Sequence, residues 1–202
     1  ILPGTTYSLD LTSIITQNYT VPWSAGEDHT NILESGQLGT EGIVQNRGIR
    51  IRSLPTNAVD DSNKVTVYCD RSNANNKDIW SLKGTNGLGN EFTIAMQNIW
   101  LNHNYANEPK TLAGFDIVAT KDCEVTINTV APFRLAGGSL TYYAANTDHK
   151  FNLLKGQTFA VVAPNHNASS HFGGSKVTAT ENIAITWRDD SVQPNVVNSS
   201  GG

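Results

Sequence analysis

Three short phrases recur in fixed order along the chain, and this recurrence constrains the fold more than any other feature. The first phrase appears as Ile1-Leu2-Pro3-Gly4-Thr5-Thr6-Tyr7-Ser8-Leu9, as Leu88-Gly89-Asn90-Glu91-Phe92-Thr93-Ile94 and as Leu153-Leu154-Lys155-Gly156-Gln157-Thr158-Phe159-Ala160-Val161. The second is Gly48-Ile49-Arg50-Ile51-Arg52-Ser53, then Gly114-Phe115-Asp116-Ile117-Val118-Ala119, then Gly174-Ser175-Lys176-Val177-Thr178-Ala179. The third closes each set as Val65-Thr66-Val67, Val125-Thr126-Ile127 and Ile183-Ala184-Ile185. Order persists while the connections change length, the mark of a structural unit reused with variable loops. The sets divide residues 1–191 into about 1–77, 78–150 and 151–191 of a single module, with 192–202 as a linker or tail.

Every phrase has strand chemistry: β-branched and aromatic residues alternating with polar ones, bounded by Gly and Asn. A helical apolar period is not sustained over three turns. The chain is therefore expected to be all-β, a β-sandwich built from three related strand sets. The alternative closure is a pseudo-threefold barrel or trefoil-like arrangement. Expected strands include Glu91–Met96, Lys176–Thr180 and Ile183–Arg188. Three strand pairs are expected: Asp78–Lys83 with Glu91–Met96 through a Gly84/Gly87/Gly89 hairpin, Gly114–Thr120 with Glu124–Val130, and Ser139–Ala144 with Lys150–Leu154. Residues 21–47, 97–113 and 163–174 are the variable loops.

Charge excludes some partners. A net charge of -4 without a Lys/Arg cluster does not suit a phosphate backbone, so no nucleic-acid partner is expected. No apolar run approaches the roughly 20 residues of a membrane span. The chain opens on a strand-like phrase without Met or a signal peptide, as a processed chain or an excised module would. The two cysteines, Cys69 and Cys123, stand at the ends of strand phrases, which makes a disulfide between them one alternative and two inert thiols the other.

The ordered set of phrases from Gly48 through Ile185 resembles the domain at the N-terminus of the IgG Fc-binding protein, found also in many bacterial surface proteins. The carrying runs are Gly48-Ile49-Arg50-Ile51-Arg52-Ser53, Val65-Thr66-Val67-Tyr68, Leu88-Gly89-Asn90-Glu91-Phe92 and Phe115-Asp116-Ile117-Val118-Ala119-Thr120. Leu154-Lys155-Gly156-Gln157-Thr158-Phe159, Gly174-Ser175-Lys176-Val177 and Ile183-Ala184-Ile185 complete it, over roughly residues 40–191. The resemblance implies an extracellular, largely β, non-catalytic binding or adhesion module. It assigns no ligand residue.

Candidate chemistry was weighed residue by residue. His103, His166 and His171 sit in two of the loops, but the close His pair and downstream carboxylate of a cupin-like metal site are missing. They are expected to be polar loop residues dispensable for the fold. Asp60-Asp61 and Asp189-Asp190 at strand ends suit calcium in their oxygen content, yet lack the spaced acidic pattern of a calcium loop, so no cofactor is expected. No nucleophile is set beside a base, which points away from an enzyme; a carbohydrate-active or metal-dependent enzyme is the alternative. Among the tryptophans, Trp80 and Trp187 follow strand patterns and are expected in a core face or at a strand end. Trp23, Trp100 and Tyr105 lie in the long loops and are the candidate ligand contacts. The expected function is adhesion or recognition, or a structural part of a larger cell-surface assembly, in a secreted or cell-surface protein. Its partner would be a glycan, a surface protein or neighbouring modules of the same assembly.

Overall fold

The computed structural model describes residues 42–46, 48, 67–72, 77–81, 83–103, 112–135, 141–189 and 192–193, with backbone alone for 68–72 and 77–80. Trp23, Tyr105, the first phrase Ile1–Leu9 and the run Ile49–Ser53 lie outside these residues. The fold is all-β, and the described residues contain only two short 3-10 turns besides strands, at Gly84–Gly87 and Ala168–Ser170.

The strands are β1 (Val44–Gln45), β2 (Tyr68–Ser72), β3 (Lys77–Ser81), β4 (Gly89–Thr93), β5 (Gly114–Ala119) and β6 (Cys123–Asn128). They continue with β7 (Phe133–Arg134), β8 (Tyr142–Tyr143), β9 (His149–Leu153), β10 (Thr158–Val162) and β11 (Lys176–Arg188). Seven of them make one antiparallel sheet in the order β1-β10-β5-β11-β6-β9, with β4 paired to β11. This sheet curls until it is nearly closed into a barrel. β2 with β3 and β7 with β8 form two separate two-stranded ribbons.

The organising element is β11. Residues Ile183–Arg188 pair with β5 and residues Lys176–Ala179 pair with β6, so one 13-residue strand spans two partners. Polar side chains secure its corner at 180–182. The Thr120 hydroxyl donates to the Asn182 carbonyl, Lys121 Nζ meets Glu181 Oε2 at 2.9 Å, and Glu124 N–H donates to Thr180 Oγ1 at 3.0 Å. On their other side β5 and β6 meet β10 and β9. Phe159 thus stands opposite Ile117, which stands opposite Ile185. In the other half Phe92 stands opposite Val177, which stands opposite Ile127. Residues at the same places of the second and third phrase sets therefore occupy corresponding places in the two ladders, each first phrase pairing with the other set's second.

This crosswise pairing overturns the expected local pairs. β3 pairs with β2, and the Gly84–Gly87 turn leads instead to β4 on a different sheet. β5 and β6 both pair with β11, β8 pairs with β7, and β9 pairs with β6. The two strands expected at Lys176–Thr180 and Ile183–Arg188 are one strand with a bulge. The physical reason is length: β11 is long enough to satisfy the backbone donors of two short strands at once, which a tight hairpin cannot do.

Alternation does predict which side chains point inward. Cys123, Val125 and Ile127 face in along β6 while Glu124, Thr126 and Asn128 face out. The core gathers Phe115, Ile117, Val125, Phe159, Val177 and Ile183, with Phe133 and Phe172. Rings meet edge-on, Phe115 with Phe172 at 5.6 Å and Phe133 with Phe159 at 6.4 Å. β10 is buried on both faces, and Leu112, Ala160 and Val162 make a second buried cluster.

Cys123 is a buried free thiol, so the bridge to Cys69 weighed from the sequence is not formed in this structure. Cys69 stands opposite Trp80 in the β2–β3 ribbon, on a different sheet from β6. Phe159 is fully buried whereas Phe92 is only partly so. Phe159→Ala should therefore cost about 3–5 kcal/mol in urea unfolding, and Phe92→Ala clearly less. Equal losses would contradict this placement of the two rings.

Candidate functional site

A buried polar network lies where the chain leaves β4, approaches β11 and leaves it again. The approach to β11 is shaped first by Asn165, whose Oδ1 accepts from Asn167 N–H at 2.9 Å and from Ser170 Oγ at 2.8 Å. This turn starts the Ala168–Ser170 3-10 turn and delivers His171 inward, only 1% exposed. Gly173 then passes so close to the other segment that a Cβ there would sit 2.2 Å from the Met96 carbonyl oxygen. Ile94 N–H donates to the Ser175 carbonyl and Gly174 N–H to the Ile94 carbonyl, at 2.9 Å each, which lays the segment after β4 beside the start of β11.

Gln97 follows. Its Oε1 accepts from Ile99 N–H at 2.9 Å and Trp100 N–H at 2.8 Å, folding the chain into a tight turn. Its Nε2 lies 3.0 Å from the Trp100 carbonyl, 2.9 Å from Asp189 Oδ2 and 3.3 Å from His171 Nδ1. Asn102 is fully buried, donates from Nδ2 to Asp189 Oδ1 at 2.7 Å, and presents Oδ1 to His171 Nε2 at 2.8 Å. The Asn102 backbone N–H donates to the His166 carbonyl. Val192 bridges to Asn102, and Gln193 N–H donates to the Leu101 carbonyl. These two residues, placed by sequence in a tail, are thus paired with the loop.

The network corrects the expectation for His171. It is a buried, hydrogen-bonded residue and not a dispensable loop histidine. Because Asn102 Nδ2 donates to Asp189, its Oδ1 faces the ring as an acceptor, and His171 Nε2 carries the proton donated to it. Both oxygens of Asp189 accept from N–H groups. Burial raises the Asp189 pKa, but the hydrogen bonds from His171, Asn102 and Gln97 outweigh it and hold the carboxyl below its ordinary 3.8. Its stabilising share is present above the unfolded pKa and is lost as pH falls through the folded value.

The anchored loop displays large apolar side chains. Ile99 is 65% exposed and Trp100 37%, between the Gln97 turn and buried Leu101. Trp187 is 46% exposed and takes the second of the two expected places, a strand end rather than a core face; it stands opposite Phe115 near the end of β11, two residues before Asp189. The hydrogen bonds to Asp189 therefore tie the turn that bears Ile99 and Trp100 to the end of β11 that bears Trp187. Of the three candidate contacts read from sequence, Trp100 is placed here, while Trp23 and Tyr105 fall outside the described residues. Gln97, Asn102 and Asp189, which hold the loop, were not among the sequence candidates for binding.

A second polar pair lies on the face of β5 turned away from the main core. Arg188 Nη1 donates to Asp116 Oδ2 at 2.7 Å, and Asp116 Oδ1 is buried without a partner. Gly114 makes room for the guanidinium, since a Cβ there would lie 3.0 Å from Arg188 Nη2 and 2.8 Å from the Val161 carbonyl oxygen. Burial dominates over Arg188 and pushes the Asp116 pKa up from 3.8 to about 6.

The all-β scaffold presents one exposed aromatic, Trp100, on a loop tied down by hydrogen bonds, the kind of feature that binding surfaces carry. Residues 80–197, more than half of the chain, match the family model described as IgGFc binding protein, and the chain belongs to that family. The match spans β4–β6 and β10–β11, the strands that pair crosswise. Neither the curated proteins nor the solved structures contain a match. Among the described residues no helix is long and apolar enough to cross a membrane, and no cluster of three metal-ligating side chains occurs.

Two outcomes follow. His171→Ala should cost about 2–4 kcal/mol, through a cavity and the loss of the hydrogen bond to Asn102 Oδ1, as read by chemical denaturation. Asp116 stays protonated in the folded chain to about pH 6 but ionises near 3.8 once unfolded. Its favourable share is thus complete below about pH 4 and lost as pH rises through 6, a swing of roughly 3 kcal/mol at about 1.4 kcal/mol per pH unit. Stability should therefore fall with this slope between about pH 4 and 6 in the native chain and level off above, and the fall should be absent from Asp116→Asn.

Proposed function

We propose that the chain is a non-catalytic recognition module, secreted or displayed at a cell surface, that binds a protein partner through the end of the barrel carrying Ile99, Trp100 and Trp187. The observation that carries this reading is an exposed tryptophan on a loop held by hydrogen bonds that run inward to the buried pair Asn102 and His171. Large apolar side chains cost solubility when exposed, and a rigid presentation removes the ordering entropy that a mobile loop would lose on binding. Tryptophan is enriched at the centre of protein interfaces for the same reasons. The family's description, which names binding to a protein, supports the partner class.

With a net charge of -4 and no basic cluster, capture should depend on apolar contact and hydrogen bonds, so salt should affect it modestly. Trp100→Ala and Trp187→Ala, tested against panels of surface proteins, immunoglobulins and glycans, should each weaken binding at least about tenfold with thermal stability retained, since interface tryptophans of this kind carry more than 1 kcal/mol. Binding confined to glycans would redirect the partner class. Unchanged binding in both variants would remove this face from recognition.

A further inference from the structure

We infer that two copies of this chain pair edge to edge along β11, with Ala184–Arg188 of one copy running antiparallel to the same residues of the other about a twofold axis at Thr186.

β11 is paired on both sides, but only one side is occupied beyond Ile183. Ile183 pairs with Gly89 of β4 on one side and with Ala119 of β5 on the other, and Thr178 pairs likewise with Glu91 of β4 and Thr126 of β6. β5 and β6 therefore follow one another along the same side, and β4 lies along the opposite side as far as Ile183. The chain before Gly89 turns away in the Gly84–Gly87 3-10 turn, and β3 pairs with β2. Among the described residues no strand continues the line of β4 beside Ala184–Arg188.

β5 fixes which backbone groups face that side. Ala119 N–H donates to the Gln157 carbonyl and the Ala119 carbonyl accepts from Gly156 N–H, so both groups of Ala119 are turned away from β11. Directions alternate along a strand, so the backbone groups of Asp116 and Val118 are turned toward β11, where they meet Thr186 and Ala184. The N–H and C=O of Ile185 and Trp187 point the other way, to the side that β4 leaves unfilled. Backbone groups at a strand edge seek partners, and these two residues offer two donors and two acceptors.

An identical strand meets all four. Antiparallel pairing about Thr186 sets Ile185 of each copy opposite Trp187 of the other. Each pair exchanges two backbone hydrogen bonds and joins a β-branched to an aromatic side chain. On the opposite face Thr186 meets Thr186 in the closely spaced, non-hydrogen-bonded position. Ala184 there meets Arg188, whose counter-charge is Asp116 at 2.7 Å, so no like charges are opposed. The contact is isologous and closes at two copies. Other edges are poorer templates: β4 carries Gly89, Asn90 and Glu91, β9 carries Lys150, and β1 has 2 residues. Ala184–Arg188 contains Ile, Thr and Trp without Pro or a bulge, and Thr186 and Trp187 are exposed.

The test is sedimentation of the whole chain over a concentration series, which should show a monomer passing to twice its mass. Thr186→Lys changes a side chain that is exposed in the single copy and sets two ammonium groups directly opposite each other in the pair. It should move the midpoint to about fivefold higher concentration or more. Thr186→Cys should cross-link two copies under mild oxidation, because Cα atoms of a non-hydrogen-bonded pair lie about 4.5 Å apart, within disulfide reach. Ala184→Cys should not, because the two 184 positions are offset by about 13 Å along the strands, beyond a limit of roughly 7 Å. The native chain, with Cys69 and Cys123, supplies the background. A chain that stays monomeric, a dimer indifferent to Thr186→Lys, or equal cross-linking in the two cysteine variants would overturn the inference. A monomer whose Ile185 and Trp187 amides gain exchange protection only with an added surface protein or immunoglobulin would overturn it too, and give the edge to that partner. Association is read without any partner and through Thr186, so its outcome is separate from the binding loss in Trp100→Ala.

Discussion

The antiparallel run of β11 against both β5 and β6 is the interaction on which the rest of the molecule depends. It places Val177 and Ile183 in the core, supplies the edge to which β4 attaches, and is flanked by His171 and Asp189, whose side chains meet at 3.2 Å. The partners lie about sixty residues apart in the chain, as in the Thr120–Asn182 and Lys121–Glu181 contacts. Closing such loops costs entropy before any core is gained. The sheet therefore assembles as a whole, because β5 and β6 share one partner strand.

The two halves of the curled sheet use polar groups differently. On the outer side of β6 and β9, Glu124 and Lys150 meet at 2.7 Å with both side chains well exposed, and such pairs add little. On β5 the acid is Asp116, buried and half-satisfied, and its ionisation opposes folding. Asp189 is the reverse case, a part-buried acid whose N–H donors more than offset burial. Glu124 and Asp116 each meet one cationic donor and differ in burial, whereas Asp116 and Asp189 are both withdrawn from water and differ in the number of their donors, which decides the sign of their effect.

Much of the strand content was legible, and the pairing was not. Cys123–Asn128 shows its inward face by alternation alone, since a strand half buried against a core must alternate. Alternation is indifferent to which strand lies alongside, so Gly114–Ala119 and Cys123–Asn128 look like a hairpin although each is paired with β11. The loop tryptophan was legible because an aromatic among Asn and His residues has no strand face to join. The residues that hold it were not. Gln97 and Asp189 stand 92 positions apart, and Asn102 and His171 stand 69 apart. Hydrogen bonds between loops leave no period in a sequence, and Gln, Asn and His in a polar stretch look solvated whether or not they are buried.

Cys123 has one more consequence. Its thiol is tucked beside Leu153 at the junction of β6 and β9, and burial, with Glu181 and Asp122 nearby, raises its pKa. It packs as a small apolar group, and the surrounding strands shield its sulfur from oxidants and alkylating reagents while they stay together. The rate at which a thiol reagent reaches this sulfur is thus a clock for the parting of β6 from β9, a native gauge of how often that side of the barrel opens.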